Sequence, residues 1–230
     1  HVVIMAGGRG TRLLPLTEKT PKPLLRIGDR PLLDVLIEQL ASYGFVNISL
    51  AVHYRSEEIQ EYIGDGSRLG VNIDYIKESR ALGTAGALRL LELKNNEPII
   101  VLYGDLLTKA HFGALLEYHT KGGYMMTLSV RRYSLQVPFG VIELDGHRIA
   151  EIEEKPSKTF LVNAGIYALH PEALTRIPRD TVSDMTELTR ILVQEKAAVG
   201  SFPIHEYWMD IGQTDDYYRA VEDYKTHFCD

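Results

Sequence analysis

The chain has 230 residues, 45% hydrophobic and 24% charged, which is typical of one globular domain long enough to bury a substantial core. Its formal net charge of −6 argues against nucleic acid as a partner, because proteins that bind nucleic acid carry a broad basic surface. The single cysteine, Cys229, excludes an internal disulfide, and without a long apolar run or a leader pattern we expect a cytoplasmic protein with no membrane span.

The first half of the chain has the apolar spacing of strands that alternate with helices. Val2-Val3-Ile4-Met5 is typical of a buried parallel strand and ends at Gly7-Gly8. Apolar residues then recur at helical spacing from Pro31 to Gly44. The elements expected after these are strand 47–53, helix 56–64, strand 71–77, helix 84–93, strand 99–103 and helix 110–120.

The second half adds antiparallel strands to the same sheet, because Asp145-Gly146 between two alternating runs is a hairpin signal. We expect strands at 125–132, 140–144, 148–153 and 161–169, a bent strand at 199–209 interrupted by Pro203, and helices at 185–195 and 214–226. This order predicts an α/β fold with a mixed, mainly parallel central sheet and helices on both faces. One domain is expected over residues 1–230. Its start at His1 is compatible with a domain excised from a longer chain, with any further module before it.

The stretch 5–24 is strongly cationic in an otherwise acidic chain. Glycines at 7, 8 and 10 follow the first strand, and a glycine turn lets backbone N–H groups converge on an anion. Residues 1–30 have a net charge of +4 from Arg9, Arg12, Lys19, Lys22, Arg26 and Arg30 against Glu18 and Asp29. The sequence therefore predicts a phosphate-binding loop. For Arg9, Lys19 and Arg26, a solvated surface cation explains the residue as well as a ligand contact does.

Two well-known phosphate loops do not fit this stretch. A P-loop needs Gly-Lys-Ser/Thr after a four-residue gap, whereas Gly10 is followed by Thr-Arg-Leu. A dinucleotide fingerprint needs a third glycine, where this chain has Leu13, and a carboxylate at the end of the second strand, which is absent. The eight histidines show no metal-ligand spacing, and no local Ser/His/Asp arrangement is present in the sequence.

Carboxylates stand at the ends of other apolar runs. Asp105 follows the most apolar strand, and Asp210 ends a later run beside a glycine. In such sheets ligands bind outside the carboxyl ends of the strands, so these side chains are candidates for the same site. Glu154 and Lys155 are also candidates, although on pattern alone they are better explained as the polar face of an edge strand.

The motif Gly-Gly-x-Gly-Thr-Arg-Leu-x-Pro-Leu-Thr from Gly7, with Pro-Lys-Pro-Leu at 21–24, resembles the signature of the sugar-1-phosphate nucleotidyltransferases, also called nucleotide-sugar pyrophosphorylases. The similarity covers nearly the whole chain. It continues through Leu-Gly-Thr-Ala-Gly at 82–86, Gly-Asp at 104–105, Phe-Gly-Val at 139–141, Glu-Lys-Pro at 154–156, Asn-Ala-Gly-Ile-Tyr at 163–167 and Trp-Met-Asp-Ile-Gly at 208–212.

This resemblance implies a Rossmann-like three-layer sandwich and attack by a sugar 1-phosphate on the α-phosphorus of a nucleoside triphosphate (NTP), with Mg²⁺ as the cofactor. The glycine loop would hold the triphosphate, two carboxylates would bind Mg²⁺, and later residues would bind the sugar phosphate. The residues implied are Arg12, Lys22, Asp105, Lys155 and Asp210 for catalysis, with Asp105 and Asp210 as metal ligands, Gly7, Gly8, Gly10, Thr11, Gly83 and Thr84 for the nucleotide, and Gly140, Glu154 and Asn163 for the sugar.

The segment 82–86 most resembles the mannose-1-phosphate guanylyltransferase branch, which favours GTP. Uridylyl- and thymidylyl-transferases have related segments and remain alternatives. The sequence does not identify the sugar, and a homo-oligomer is compatible with it. An alternative of another class is a catalytically silent sugar-nucleotide sensor that acts as a regulatory subunit; such a protein should have lost part of the loop or a metal ligand, and neither is missing.

Overall fold

The structure, a computed structural model, describes residues 1–93 and 95–228, so Cys229 lies outside the described residues. The strands are β1 Val2–Met5, β2 Arg26–Ile27, β3 Arg30–Pro31, β4 Asn47–Val52, β5 Asn72–Lys77, β6 Ile99–Tyr103, β7 Leu106–Thr108, β8 Met126–Gln136, β9 Gly140–Asp145, β10 Arg148–Glu154, β11 Ser157–Leu169, β12 Val199–Pro203 and β13 Trp208–Asp210. The α-helices are α1 Leu16–Lys19, α2 Leu32–Ser42, α3 Ser56–Ile63, α4 Gly83–Gly86, α5 Phe112–Lys121, α6 Met185–Gln194 and α7 Thr214–His227.

Seven strands form the central sheet in the order β12-β8-β11-β6-β1-β4-β5. Strand β1 pairs in parallel with β4 and β6, β4 with β5, and β8 with β12, whereas β11 pairs antiparallel with both β6 and β8. Of these seven strands, β11 alone runs against the others. The prediction of a mixed, mainly parallel sheet is confirmed.

Helices cover both faces of this sheet, as the sequence predicts. On one face α2, α3 and α5 pack on the sheet, and on the other α4 and α6 do so together with the 3-10 turns Ala87–Leu90 and Pro171–Arg176. The strands alternate their side chains between the two layers; Ile4 faces the first and Val3 the second. The result is a Rossmann-like three-layer sandwich. Among the described helices, none combines the length and apolar character needed to cross a bilayer.

Three expectations about individual elements are wrong. The helix expected at 84–93 is one α-turn, α4, followed by the 3-10 turn Ala87–Leu90. The bent strand expected at 199–209 is two strands in different sheets, because β12 ends at Pro203 and β13 pairs with β7. Strand β12 is the edge strand of the central sheet, where a proline is tolerated, and the Ile204 N–H just beyond it still donates to the Val130 carbonyl oxygen at 2.9 Å.

The third wrong expectation concerns the hairpin of β9 and β10, which the sequence predicts to join the central sheet but which lies outside it. Strands β8 and β11 continue past the sheet as a two-stranded ribbon, in which Ser157 pairs with Gln136, and the hairpin pairs only within itself. The register of β11 shifts between Asn163 and Tyr167, which marks a bulge at the point where the ribbon leaves the sheet. Bulges bend a strand in this way, and the apolar alternation of the sequence does not reveal them.

Candidate active site

A cleft of about 450 Å³ lies at the carboxyl ends of β1, β4, β5 and β6. Parallel strands that start from one edge of a sheet deliver their following loops to the opposite edge, so segments far apart in the chain meet there. The predicted site residues that line the cleft are Gly7, Gly8, Gly10, Thr11, Arg12, Lys22, Gly83, Thr84, Asp105 and Asp210. The structure therefore brings together the nucleotide-binding and metal-binding groups named from the sequence.

The glycine loop is fixed by contacts with the segment that follows it. Gly10 has φ +63°, and a Cβ there would lie 2.9 Å from Thr17 Cγ2 and 3.1 Å from Lys22 Cβ. Thr17 is buried and its hydroxyl donates a hydrogen bond to the Gly10 carbonyl oxygen at 2.8 Å. Only glycine accepts both this backbone conformation and this close approach. The loop and Lys22 are thus held as one unit beside the cleft.

The two aspartates become neighbours through strand pairing. Asp105 stands between β6 and β7, and β13 pairs antiparallel with β7 so that Asp210 lies opposite Leu106. The Ile211 N–H donates to the Asp105 carbonyl oxygen at 3.0 Å. Burial and the nearby Asp105 carboxylate together raise the pKa of Asp210 above its ordinary value, since both disfavour a second negative charge.

Cations partly neutralise this pair of carboxylates. Lys22 Nζ forms an ion pair with Asp105 Oδ2, and its side chain is 11% exposed. Lys22 and Arg12 both act to lower the pKa of Asp210, opposing the effect of burial. A Cβ on Gly212 would lie 3.8 Å from Asp210 Oδ1 and 3.9 Å from Arg12 Nη1, so Arg12 reaches the same place.

One oxygen of this cluster has no hydrogen-bond partner. Asp105 Oδ1 is buried, and within the described residues nothing donates to it. A buried, unpaired carboxylate oxygen is costly unless a cation or donor completes it, and hard divalent cations bind such oxygens. The described residues contain no cluster of three or more His, Cys, Asp or Glu that could hold a metal alone, so a cation bound here would need ligands beyond Asp105 and Asp210.

The other end of the cleft has a different character. It is lined by His53, Glu78 and Ala81 together with Gly83 and Thr84. Glu78 Oε2 accepts a hydrogen bond from the Leu82 N–H at 2.8 Å, and burial raises the pKa of the Glu78 carboxyl. His53 and Glu78 were not predicted from the sequence. Both directly follow strands of the central sheet, which is the signal that identified Asp105 and could have identified them.

Of the cations left open by the sequence, Arg9 lines the cleft, and its guanidinium lies 5.8 Å from the centre of the Tyr54 ring. Lys19 and Arg26 are not among the lining residues, and the Arg26 side chain donates to the Asp29 carbonyl oxygen. The phosphate-binding prediction is therefore narrowed to Arg9, Arg12 and Lys22.

The residues predicted for the sugar do not line this cleft. Gly140 and Glu154 pair across the β9–β10 hairpin, and Lys155, with φ +49°, donates its N–H to the Phe139 carbonyl oxygen at 3.2 Å. All three belong to the hairpin or directly follow it, outside the central sheet, so the sugar-binding assignment for this group stays a prediction.

Asn163 is connected to the cleft wall through two tyrosines. Its Nδ2 donates to Tyr167 Oη at 2.6 Å, and Tyr167 Oη lies 3.1 Å from Tyr103 Oη. Tyr103 lines the cleft, whereas Tyr167 is fully buried. The Asn163 Oδ1 also accepts the Gly165 N–H at 3.0 Å, which fixes the bulge of β11.

The sequence is similar to those of known proteins over most of its length. Residues 1–227 match the family described as nucleotidyl transferase. The chain is 39% identical over 225 residues to a mannose-1-phosphate guanyltransferase of Saccharomyces cerevisiae and 38% identical over 228 residues to one of Pichia angusta, covering 94% and 95% of this chain. The chain spans 62% of the length of each of these relatives.

Solved structures give the same result for the fold. The structure of HddC from Yersinia pseudotuberculosis superposes with a TM-score of 0.77 at 29% identity, covering 97% of this chain and 99% of that one. A second HddC structure, complexed with GMP-PN, has a TM-score of 0.75 at 28% identity and the same coverage.

Proposed function

Because this chain belongs to the nucleotidyl transferase family, we propose that it transfers a guanylyl group from GTP to a sugar 1-phosphate and releases pyrophosphate. GTP is supported by relatives named mannose-1-phosphate guanyltransferase and by the HddC complex with GMP-PN. Mannose 1-phosphate is for the same reason the first acceptor to test. Uridylyl or thymidylyl transfer is the alternative within the family.

One observation carries the proposal: three cations and two carboxylates meet around the glycine loop in a single cleft. The cations are Arg9, Arg12 and Lys22, and the carboxylates are Asp105 and Asp210. A protein that joins two polyanionic substrates must neutralise their phosphates and hold them in line, and it needs few other catalytic groups. These three cations and two carboxylates are the groups that such a reaction requires.

The reaction we propose is an in-line displacement. A phosphate oxygen of the sugar 1-phosphate attacks the α-phosphorus, a new P–O bond forms, and the bond between the α-phosphorus and the bridging oxygen breaks as pyrophosphate leaves. The attacking phosphate is already ionised at neutral pH, so no general base is required. Arg12 and Lys22 would stabilise the charge that accumulates on the leaving group, because preorganised cations act most strongly where charge develops.

We propose Mg²⁺ as the cofactor, with Asp105 and Asp210 as its protein ligands. The buried, unpaired Asp105 Oδ1 and the adjacent Asp210 carboxylate fit it, since Mg²⁺ is commonly held by one or two carboxylates plus substrate phosphates and water. When bound, Mg²⁺ would neutralise phosphate charge in the transition state. Lys22, now paired with Asp105, would then be free to contact the triphosphate.

The sugar phosphate would approach from the side of the β9–β10 hairpin. Lys155 is proposed to contact its phosphate, while Glu154, Asn163 and the Gly140 backbone would contact sugar hydroxyls. The support is their match to the family pattern together with the link from Asn163 through Tyr167 to the cleft wall.

Pyrophosphate release is the direct assay. The purified chain is incubated with GTP, ATP, UTP or dTTP, each with mannose 1-phosphate and with a panel of other sugar 1-phosphates, with Mg²⁺ or with EDTA. We expect turnover with GTP that requires Mg²⁺. Preference for UTP or dTTP would support the alternative within the family, and no turnover with any pair would contradict the proposal.

The Asp105→Asn variant tests the site itself. Loss of a preorganised charge contact of this kind typically costs about a hundredfold or more in rate, so we expect kcat/KM to fall at least that far. Asp74→Asn is the matched control, because Asp74 is an exposed aspartate in the middle of β5 and does not line the cleft. Turnover of Asp105→Asn within tenfold of the parent would contradict the assigned role.

A further inference from the structure

The segment 82–86 forms one wall of the cleft, and its conformation is not stable without contacts from other parts of the chain. It contains the single helical turn α4, and an isolated turn is unstable because helix nucleation costs more than one hydrogen bond returns. Gly83 and Thr84 of this turn line the cleft and come after β5, whereas the glycine loop follows β1 and Asp105 follows β6, on the side of β1 away from β4 and β5. A triphosphate bound among the cations would leave the β5 side of the cleft for the nucleoside.

The segment is held instead by two residues that precede α6, a hundred positions later. The Ser183 carbonyl oxygen accepts the N–H groups of Ala85 at 2.9 Å and Gly86 at 3.1 Å, and the Ser183 N–H donates to the Leu82 carbonyl oxygen at 2.9 Å. The approach is close: Gly83 has φ +81°, and a Cβ on it would lie 2.5 Å from the Ser183 carbonyl oxygen.

The Asp184 side chain accepts two hydrogen bonds from Thr84. Asp184 Oδ1 accepts both the Thr84 N–H at 3.0 Å and the Thr84 hydroxyl at 3.1 Å. The Thr84 hydroxyl oxygen in turn accepts the N–H of Met185, the first residue of α6, at 2.9 Å. The Asp184 carboxylate therefore satisfies the backbone N–H of Thr84, and the Thr84 hydroxyl satisfies the backbone N–H of Met185.

This exchange departs from the usual role of aspartate before a helix. Asp184 occupies the N-cap position of α6 and has extended backbone, yet its side chain makes no capping hydrogen bond to α6. An aspartate N-cap ordinarily accepts a hydrogen bond from its own helix, which stabilises the helix by about 1 kcal/mol. Here Thr84 supplies the cap and the Asp184 carboxylate is committed to the cleft wall.

We propose that Asp184 is a positioning residue for the nucleoside: through Thr84 it fixes the wall 82–86 in the conformation that binds the base and sugar of the NTP. The inference rests on the proposed function, because it assumes that the cleft binds an NTP. Asp184 itself does not line the cleft, so its effect passes through the hydrogen bonds to Thr84.

Replacing Asp184 by alanine should loosen this wall without touching the cations or the carboxylate pair. Part of the binding free energy of the nucleotide would then be used to order this wall. We therefore expect the Kd and KM for GTP to rise about tenfold, the effect of losing one or two net hydrogen bonds. The KM for the sugar 1-phosphate and kcat at saturating GTP should change by less than about twofold.

Asp184→Asn distinguishes positioning by an oxygen acceptor from a general charge effect. Both hydrogen bonds end on the same oxygen, Oδ1, and asparagine keeps an acceptor oxygen there. Asp184→Asn should therefore stay within about twofold of the parent. Asp184→Ser is a second loss variant, because serine is too short to reach Thr84 but is itself a good N-cap and so preserves α6. Asp74→Ala is the control for an exposed aspartate elsewhere.

The experiment measures GTP binding by calorimetry and steady-state kinetics with both substrates varied, after thermal unfolding has established that each variant is folded. The inference is overturned if Asp184→Ala and Asp184→Ser leave the GTP constants unchanged, if both substrates are affected equally, or if Asp184→Asn fails to restore GTP binding. A parent chain that neither binds nor turns over GTP would instead contradict the proposed function, and that result is read before any variant is compared.

Discussion

Replacing Lys22 by methionine is the sharpest test of the electrostatic mechanism. Methionine has similar length and no charge, and the Lys22 side chain is 11% exposed, so solvent screening is weak at this position. An ammonium about 4 Å from a phosphate charge contributes about 4 kcal/mol at an effective dielectric of about 20. That energy corresponds to a factor of about a thousand in rate.

We therefore expect Lys22→Met to lower kcat/KM by about 100- to 1000-fold, with much of the loss in kcat, because charge on the leaving pyrophosphate grows in the transition state. The variant also leaves the Asp105 carboxylate without its ion-pair partner. A loss of about 1–3 kcal/mol in the free energy of unfolding is expected from that change. Circular dichroism at the assay temperature checks that the variant is folded.

Lys19→Met is the matched control, since Lys19 is an exposed lysine of the same cationic stretch that does not line the cleft. It should retain the activity of the parent. Lys22→Arg keeps the charge and should recover part of the loss, limited by the different shape of the guanidinium. The reasoning fails if a folded Lys22→Met variant stays within tenfold of the parent in pyrophosphate release.

Two further predictions concern stability. His119 is buried and hydrogen-bonded to Thr127, and burial lowers its pKa to about 4 from 6.5, so the stability from its neutral form is complete above pH 6.5 and is lost as the pH falls toward 4. Urea titrations should show that the free energy of unfolding falls by roughly 3 kcal/mol over that pH range in the parent but not in His119→Gln. An equal loss in acid for both proteins would refute this prediction. Asp34 is buried and accepts two hydrogen bonds from Arg68, at 2.8 and 3.0 Å. Asp34→Ala should therefore lower the free energy of unfolding by about 2 kcal/mol, whereas the control Asp74→Ala should lower it by less than about 0.5 kcal/mol. Equal effects of the two substitutions would show that the Asp34–Arg68 contact does not stabilise the fold.

The cationic half of the candidate site, which we propose binds phosphate, could be predicted from the sequence because its signals are local. The glycines and cations of 5–24 are contiguous, and Asp105 follows an apolar run that is recognisable as a buried strand. Parallel strands bring such positions to one edge of the sheet without further information. Periodicity likewise predicted the layers of the sandwich, since it reflects which face of each element is buried.

Other features depended on contacts between distant segments. Instead of the helix expected at 84–93, only one α-helical turn forms, and its N–H groups donate hydrogen bonds to the Ser183 carbonyl oxygen. No sequence pattern near residue 84 reveals this contact. The β9–β10 hairpin has strand-like alternation, but the bulge of β11 directs the ribbon away from the sheet. Local sequence encodes the preference for strand or helix, whereas the partner of each strand is decided by tertiary packing.

The sequence by itself determined the alternation of strands and helices, the cationic glycine loop and the identity of the carboxylates. Only the tertiary structure decided that Lys22 pairs with Asp105, that Asp210 joins them through β13, and that Asp184 holds the wall opposite. The physical reason is separation along the chain: hydrogen bonds and charges act over a few ångströms, and these groups become neighbours only when the strands that carry them are paired.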